Sequence, residues 1–451
     1  MSLGLFLFLL LPLTISAAQE REKQDDDQNQ KFVPFEEFLE RVKAAKFEEY
    51  RRSPASKVES AEAFEDMRAH ILRRYEGVKA EGSFVLEGQY ADCISIESQP
   101  SVRELAIRKI AAPPIGSTFG FRKEVRVPGE FKYAESPLKL GLKDRWGHAI
   151  SCHTGTVPLG RITLERLVRF RRLSDFFAKV PRELGRAYIP REKPEFLPDW
   201  DATHLHAYAA QNVTNFGGDS WLDLWNPTGD FSLSQQWYTS GTGSSTQTVE
   251  GGWQVLPDKY GTNDAVLFIY WTADNYQKTG CYNTDCAGFV QTNNNWFLGG
   301  TWNHYSTTGG DQWGFELQWK LYSGNWWLFL KGPGNYEAVG YLPTSVYNGG
   351  QNSKNATSII YGGETTRKTG DSWPQMGSGE FASQGWQHAA YQNIIFYIAR
   401  DENDGVGVWA DLTATDEAFT TCYTINLTPS SSGGNWGTYI FFGGPGGTTC
   451  H

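Results

Sequence analysis

The stretch Val249-Glu-Gly-Gly-Trp-Gln-Val255 sets one carboxylate, Glu250, among β-branched, aromatic and glycine residues. The two-residue alternation of Val249, Trp253 and Val255 with Glu250 and Gln254 is that of a strand. An acid on such a strand is turned into a groove or a buried surface, where it needs a partner or a raised pKa. Tyr361-Gly-Gly-Glu364 repeats the arrangement after Ile359 and Ile360, with Glu364 as the acid.

The same texture extends on both sides. Trp253 to Leu256, Ala265 to Thr272, Trp313 to Leu321, Trp326 to Lys331, Ile394 to Ala399 and Tyr439 to Phe442 are short apolar or alternating runs separated by Gly, Asn, Ser and Asp. Helical periodicity is nearly absent after His204, and no fixed-length repeat argues for a propeller. The pattern predicts a mostly β protein in which 201–451 forms one antiparallel β-sandwich, sheet packed on sheet.

Composition divides the 451-residue chain near residue 200. Residues 201–451 hold 15 of 17 Trp, 8 of 41 Lys+Arg and 21 of 51 Asp+Glu. The first 200 residues carry the opposite balance, so a basic segment is tied to an acidic domain and should dock on it. That contact should weaken as acid protonates the carboxylates.

Leu3 to Ile15 is apolar and is followed by Ser16-Ala17-Ala18, which reads as a secretory signal over 1–18 with no basic residue at its start. The run is shorter than the roughly 20 residues of a membrane span, and the expected product is secreted, extracellular and free of the membrane. An α+β unit, 19–180, should follow. In it, Phe35, Phe38, Leu39, Val42 and Phe47 form one helical face, and Phe64, Met67, Ile71, Leu72 and Tyr75 a second one that starts at Ser60 and stops at Gly77. Thr163 should cap a short basic helix carrying Arg166, Arg169, Arg171 and Arg172, a face suited to an acidic partner domain rather than to nucleic acid. Pro181, Pro190, Pro194 and Pro198 mark 181–200 as an accessible linker open to cleavage.

Six cysteines in an exported chain read as disulfides. Cys93 and Cys152 are the two before residue 200, Cys281 and Cys286 can clip a tight loop, and Cys422 and Cys450 are left to tie the last strands. Asn212, Asn355 and Asn426 each head an Asn-x-Thr glycosylation pattern.

In the acidic half the common nucleophiles are poorly provided for. Its cysteines are committed, no Gly-x-Ser-x-Gly elbow is present, and His304 or His388 would stand alone as a base. No Cys-x-x-Cys or His-Glu-x-x-His offers a zinc site, so no metal or other cofactor is expected. Carboxylates are what is left. Two held close cannot both ionise, so a pair offers an acid and a base at once. Glu380, after Gly377-Ser-Gly, is an outlying third candidate.

The order of Val249-Glu-Gly-Gly-Trp-Gln-Val255, Tyr270-Trp-Thr-Ala-Asp274, Thr279-Gly-Cys-Tyr-Asn283, Cys286-Ala-Gly-Phe-Val-Gln-Thr292, Asn325-Trp-Trp-Leu328, Val339-Gly-Tyr-Leu-Pro343, Tyr361-Gly-Gly-Glu364 and Gln375-Met-Gly-Ser-Gly379 closely resembles the neprosin family of secreted glutamic peptidases. The surroundings of Cys93 and Cys152, with Gly155-Thr-Val-Pro158, are similar to that family's activation peptide. The resemblance implies an antiparallel β-sandwich, a precursor activated in acid and cleavage next to proline. It also implies two catalytic glutamates, matched here by Glu250 and Glu364. The sequence departs from the family at Gly251, where relatives more often have Ala, and in the segment before Asp201.

From these readings one glutamate should activate water while the other donates a proton, on proline-containing peptides, with the chain's own propeptide as inhibitor. Trp253, Gln254, Tyr270 and Trp271 are candidates for the substrate groove, since proline rings pack on aromatic faces, and equally for the core. Processing is expected within 181–200, after Pro194 or Pro198. A glycoside hydrolase with paired carboxylates about 5 to 9.5 Å apart, or an inert lectin-like module with Trp residues stacking on sugars, are the alternative readings.

Overall fold

The computed structural model describes residues 31–114, 131–179, 204–368, 371–400, 407–416, 421–448 and 450. The expected signal at 1–18 and the linker at 181–200 lie outside them.

Strands dominate from His204 onward, in two sheets packed face to face. One is seven-stranded. From one edge its middle runs Val266–Thr272, Gln247–Val255, Ser232–Ser240, Ala356–Thr366 and His204–Asn215, all antiparallel. The other, ten-stranded, is centred on Gln312–Tyr322, Gly217–Asp223 and Ala390–Ile398. The period of two divides every strand between faces. Leu205, Tyr238, Val249, Trp253, Ile269, Trp271, Ile359 and Tyr361 point inward to meet Leu317, Trp319, Trp326 and Leu328 of the second sheet. Tyr208, Leu233, Trp237, Phe268, Tyr270 and Ile360 form a separate buried cluster on the outer face of the first sheet. The expected mostly β architecture and the strand positions agree with what is observed.

The N-terminal residues build helices over a three-stranded sheet, with a core of their own. Ser60 Oγ accepts from Ala63 N at 3.1 Å to start the helix Ala61–Arg74, and Thr163 Oγ1 accepts from Arg166 N at 3.4 Å to start Leu164–Leu167, as the capping residues predict. That second helix ends after one turn, so of the expected basic residues only Arg166 lies on it, and Phe47 falls on a short helix of its own, Phe47–Tyr50, after Phe35–Ala44. Cys93–Cys152, Cys281–Cys286 and Cys422–Cys450 are bonded in the expected pairs. Among the described residues no helix is long and apolar enough to cross a membrane.

Basic residues of this N-terminal part do meet acids of the sandwich. Lys57 pairs with Asp258 at 3.0 Å, Lys132 with Asp311 at 2.6 Å and Lys139 with Glu337 at 2.5 Å. A short strand, Phe131–Tyr133, goes further and joins the sandwich itself, running parallel to Gln312–Gly314. Its Phe131 ring is enclosed by Trp221, Trp386, Tyr391 and Trp436, with centroids 4.9 to 5.5 Å away.

Candidate active site

Glu250 and Glu364 stand on strands separated by Ser232–Ser240, and both side chains project to the outer face of the seven-stranded sheet. The register explains the space between them. Glu250 lies beside Trp237, Glu364 beside Leu233, and the row between them is Gly252, Gln235 and Gly362. A Cβ at Gly252 would fall 1.9 Å from Ser234 O, and one at Gly362 2.2 Å from Ala207 O. Glycine is therefore required on both sides of Gln235, and the missing side chains leave a trough running between the two acids.

Both carboxylates are buried, at 0% and 2% exposure, in a region whose walls are aromatic. Glu250 Oε1 accepts from Thr248 Oγ1 and from the Tyr276 hydroxyl, each at 2.6 Å. Tyr276 is delivered by a tight loop in which Asn275 and Tyr276 both have left-handed backbones, φ 60 and 59. That conformation costs a non-glycine residue roughly 1–2 kcal/mol. The Asp274 carboxylate offsets it by accepting from Gln277 N, Lys278 N, Thr279 N and Thr279 Oγ1. Glu364 has a different setting. Its Oε1 is in contact with His204 Nδ1, its Oε2 lies 3.8 Å from His206 Nε2, and Gln235 Nε2 donates to Oε2 at 3.4 Å.

Between the acids lies an ammonium from the far half of the sequence. Lys179 Nζ is 2.7 Å from Glu250 Oε2 and 3.1 Å from Glu364 Oε2, and it sits over the Trp237 and Tyr276 rings. The segment bringing it follows the helix Leu173–Phe177 across the outer face. Lys259 donates to Phe176 O at 3.0 Å, Tyr270 to Phe177 O at 3.4 Å and Tyr282 to Lys179 O at 2.6 Å. Burial opposes the charge of Lys179, yet the two glutamates hold its pKa above the ordinary lysine value. Burial likewise pushes Glu364 upward, but Lys179, His204 and His206 together hold it well below the usual carboxylate range.

Four other buried acids of the sandwich each have a partner within it, although Arg74 and Arg166 also act on Asp285 and the Tyr133 hydroxyl also donates to Glu316. Asp285 pairs with Lys259 at 2.8 Å, Glu316 with Lys331 at 2.6 Å, Asp219 accepts from the Tyr336 hydroxyl at 2.7 Å and Asp223 accepts from Tyr391 N at 3.0 Å. Glu250 and Glu364 differ in that the one cation in contact with them both, Lys179, is supplied by the N-terminal part.

Of the groove candidates, Tyr270 reaches the Lys179 segment, and Gln254 reaches it through Tyr282, to which its Nε2 donates at 3.0 Å. Trp253 and Trp271 point the other way, into the core between the sheets, where Trp253 Nε1 donates to Asp223 O at 2.7 Å. His304 stacks on Trp313, and Glu380 lies half-buried on the turn at Ser378. Asn212 and Asn426 are exposed and Asn355 half-buried.

Reading the sequence missed Lys179, His204, His206, Gln235 and Tyr276. His204-Leu-His206 did carry a signal, since two histidines at strand spacing share a face. Lys179 carried none, being one basic residue among 33 in the first 200.

Residues 228–445 match the family model described as Neprosin. Among solved structures, a scytalido-glutamic peptidase bound to a transition state analog inhibitor covers 53% of this chain and 97% of its own length, at 10% identity and a TM-score of 0.28. SCP-B, a member of the Eqolisin family of peptidases in complex with the tripeptide Ala-Ile-His, covers 53% and 96% at 9% identity and a TM-score of 0.26. Likeness at that level does not define a shared fold.

Proposed function

The chain belongs to the neprosin family of glutamic peptidases, and from that premise we propose that it is a secreted, acid-activated endopeptidase that cleaves next to proline using Glu250 and Glu364. The observation that carries the reading is the Lys179 ammonium bridging the two carboxylates over the glycine trough. A buried pair of acids that must be neutralised by a residue from outside the sandwich is built to be uncovered.

Once Lys179 withdraws, water and a peptide carbonyl take the trough. Two carboxyls facing the place of one ammonium can work as an ionised base and a protonated acid on either side of one water. His204 and His206 lie against Glu364 alone, which favours Glu364 as the ionised base that takes a proton from water. Glu250 then donates to the carbonyl oxygen or the leaving amine, with Thr248 and Tyr276 fixing its orientation. Tyr270 and the ring of Trp237 offer faces for a proline residue.

On this reading the N-terminal part is an intramolecular inhibitor, 181–200 is where it is severed, and Asn212, Asn355 and Asn426 carry glycans. Incubating the acid-treated protein with a proline-containing peptide at acid and neutral pH, beside a polysaccharide, tests it. Peptide cleavage in acid alone, undiminished by chelator and absent from Glu250→Gln and Glu364→Gln, is the expected result. Release of sugar, or hydrolysis surviving in both variants, would overturn it.

A further inference from the structure

His204 and His206 are two residues apart on one strand, so both imidazoles stand on the same face. Glu364 is the cross-strand partner of His206, and Thr366 that of His204. One donor atom from each of His204, His206 and Glu364 lies within 4.8 Å of the other two, and all three residues are buried. Donors around a tetrahedral zinc, with bonds of about 2.0–2.1 Å, stand roughly 3.3 Å apart. Small rotations of two rings and a carboxylate would close this set on an ion. Two imidazole nitrogens and one carboxylate oxygen suit zinc and its neighbours, and three protein ligands leave a fourth position for water.

The same Glu364 oxygen that faces His206 is 3.1 Å from Lys179 Nζ. An ammonium and a dication on one oxygen repel each other, so the ion and Lys179 exclude one another. Any ion bound here would also take the carboxylate assigned above to activating water.

We propose that His204, His206 and Glu364 form a site for a divalent cation of the zinc class, opened when Lys179 withdraws, and that the ion switches the carboxylate pair off. The binding rests on geometry alone; the switching rests on the peptidase reading. The test uses the full chain in three forms at neutral pH: wild type, Lys179→Ala, and Lys179→Ala combined with His206→Ala. Zn2+ uptake is followed by calorimetry and Co2+ uptake by visible absorption, with melting curves to report folding. One ion per Lys179→Ala chain is expected, with visible cobalt bands, at least tenfold weaker uptake by wild type, and loss of uptake in the double variant. His206→Gln replaces His206→Ala if the latter does not fold. No uptake by Lys179→Ala, or equal uptake by all three forms, overturns the site. In peptide assays of Lys179→Ala in acid, zinc at saturating concentration should cut the rate at least tenfold, and an unchanged or raised rate overturns the switch. Absence of hydrolysis under every condition would overturn both the switch and the peptidase reading, while the cobalt signal, which needs no substrate, would still decide the site.

Discussion

Lys179 Nζ lies 2.7 Å from Glu250 Oε2, although the two residues are 71 positions apart and belong to oppositely charged halves of the chain. Taking one partner from a buried ion pair costs about 3–5 kcal/mol because the other is left uncompensated. Lys179→Met should therefore lower the melting temperature of the full chain at pH 7. The loss should shrink in acid, where the carboxylates take up protons instead. Thermal melts at pH 7 and pH 4 check this, and equal losses at both would contradict the bridging role.

The acid dependence of the whole contact has a definite sign. Glu364 is held below its ordinary value in the folded chain, so its contribution is complete above the ordinary carboxylate pKa, about 4.3, and is lost as pH falls through the lowered value. Asp258 and Glu337 are depressed too: burial works against their charge, but Lys57 and Lys139 outweigh it. Docking of the N-terminal part should be indifferent to pH between 6 and 8 and should loosen below about pH 4. Limited proteolysis across that range would show it as cleavage appearing only in acid.

Glu250→Gln and Glu364→Gln should each reduce peptide hydrolysis by at least 10²–10⁴-fold, roughly the share of general acid or base catalysis. Each variant also removes an anion facing Lys179 and should weaken N-terminal docking, and Glu364→Gln alone removes the partner of His204 as well. Rates in acid and melting temperatures at neutral pH would separate the two effects.

Gly252→Ala places a methyl group 1.9 Å from Ser234 O, a backbone atom of the adjacent strand. The strands must part to admit it. A loss of about 1–3 kcal/mol or more is expected, read as a shift in the urea midpoint. An unshifted midpoint would mean that the trough is wider than its glycines imply.

Much of the fold was legible because it depends on neighbours in sequence. The alternation around Glu250 and Glu364 fixed which way both acids point, Ser60 and Thr163 start helices through bonds three residues long, and the cysteines left few pairings. Trp253 and Trp271 illustrate the limit. A tryptophan on a sandwich strand packs equally well on either face; parity with Glu250 sets Trp253 opposite the acid, and the pairing of Trp271 with Val249 puts that residue on the same core face. Lys179 was invisible for a related reason, and so was the meeting of the two histidines with Glu364: these contacts join residues 71 positions apart for Lys179 and Glu250 and 160 apart for His204 and Glu364, which no local pattern encodes.

The short strand Phe131–Tyr133 bears on what the proposed removal of the N-terminal part would expose. Its Phe131 ring covers the faces of Trp221, Trp386, Tyr391 and Trp436, and its backbone satisfies the exposed end of Gln312–Tyr322. A sandwich stripped of this strand would present a sticky aromatic patch beside an unpaired strand end, both of which promote self-association. If the N-terminal part is removed as proposed, the freed sandwich should be more prone to aggregate than the full chain, which light scattering of the two forms would read.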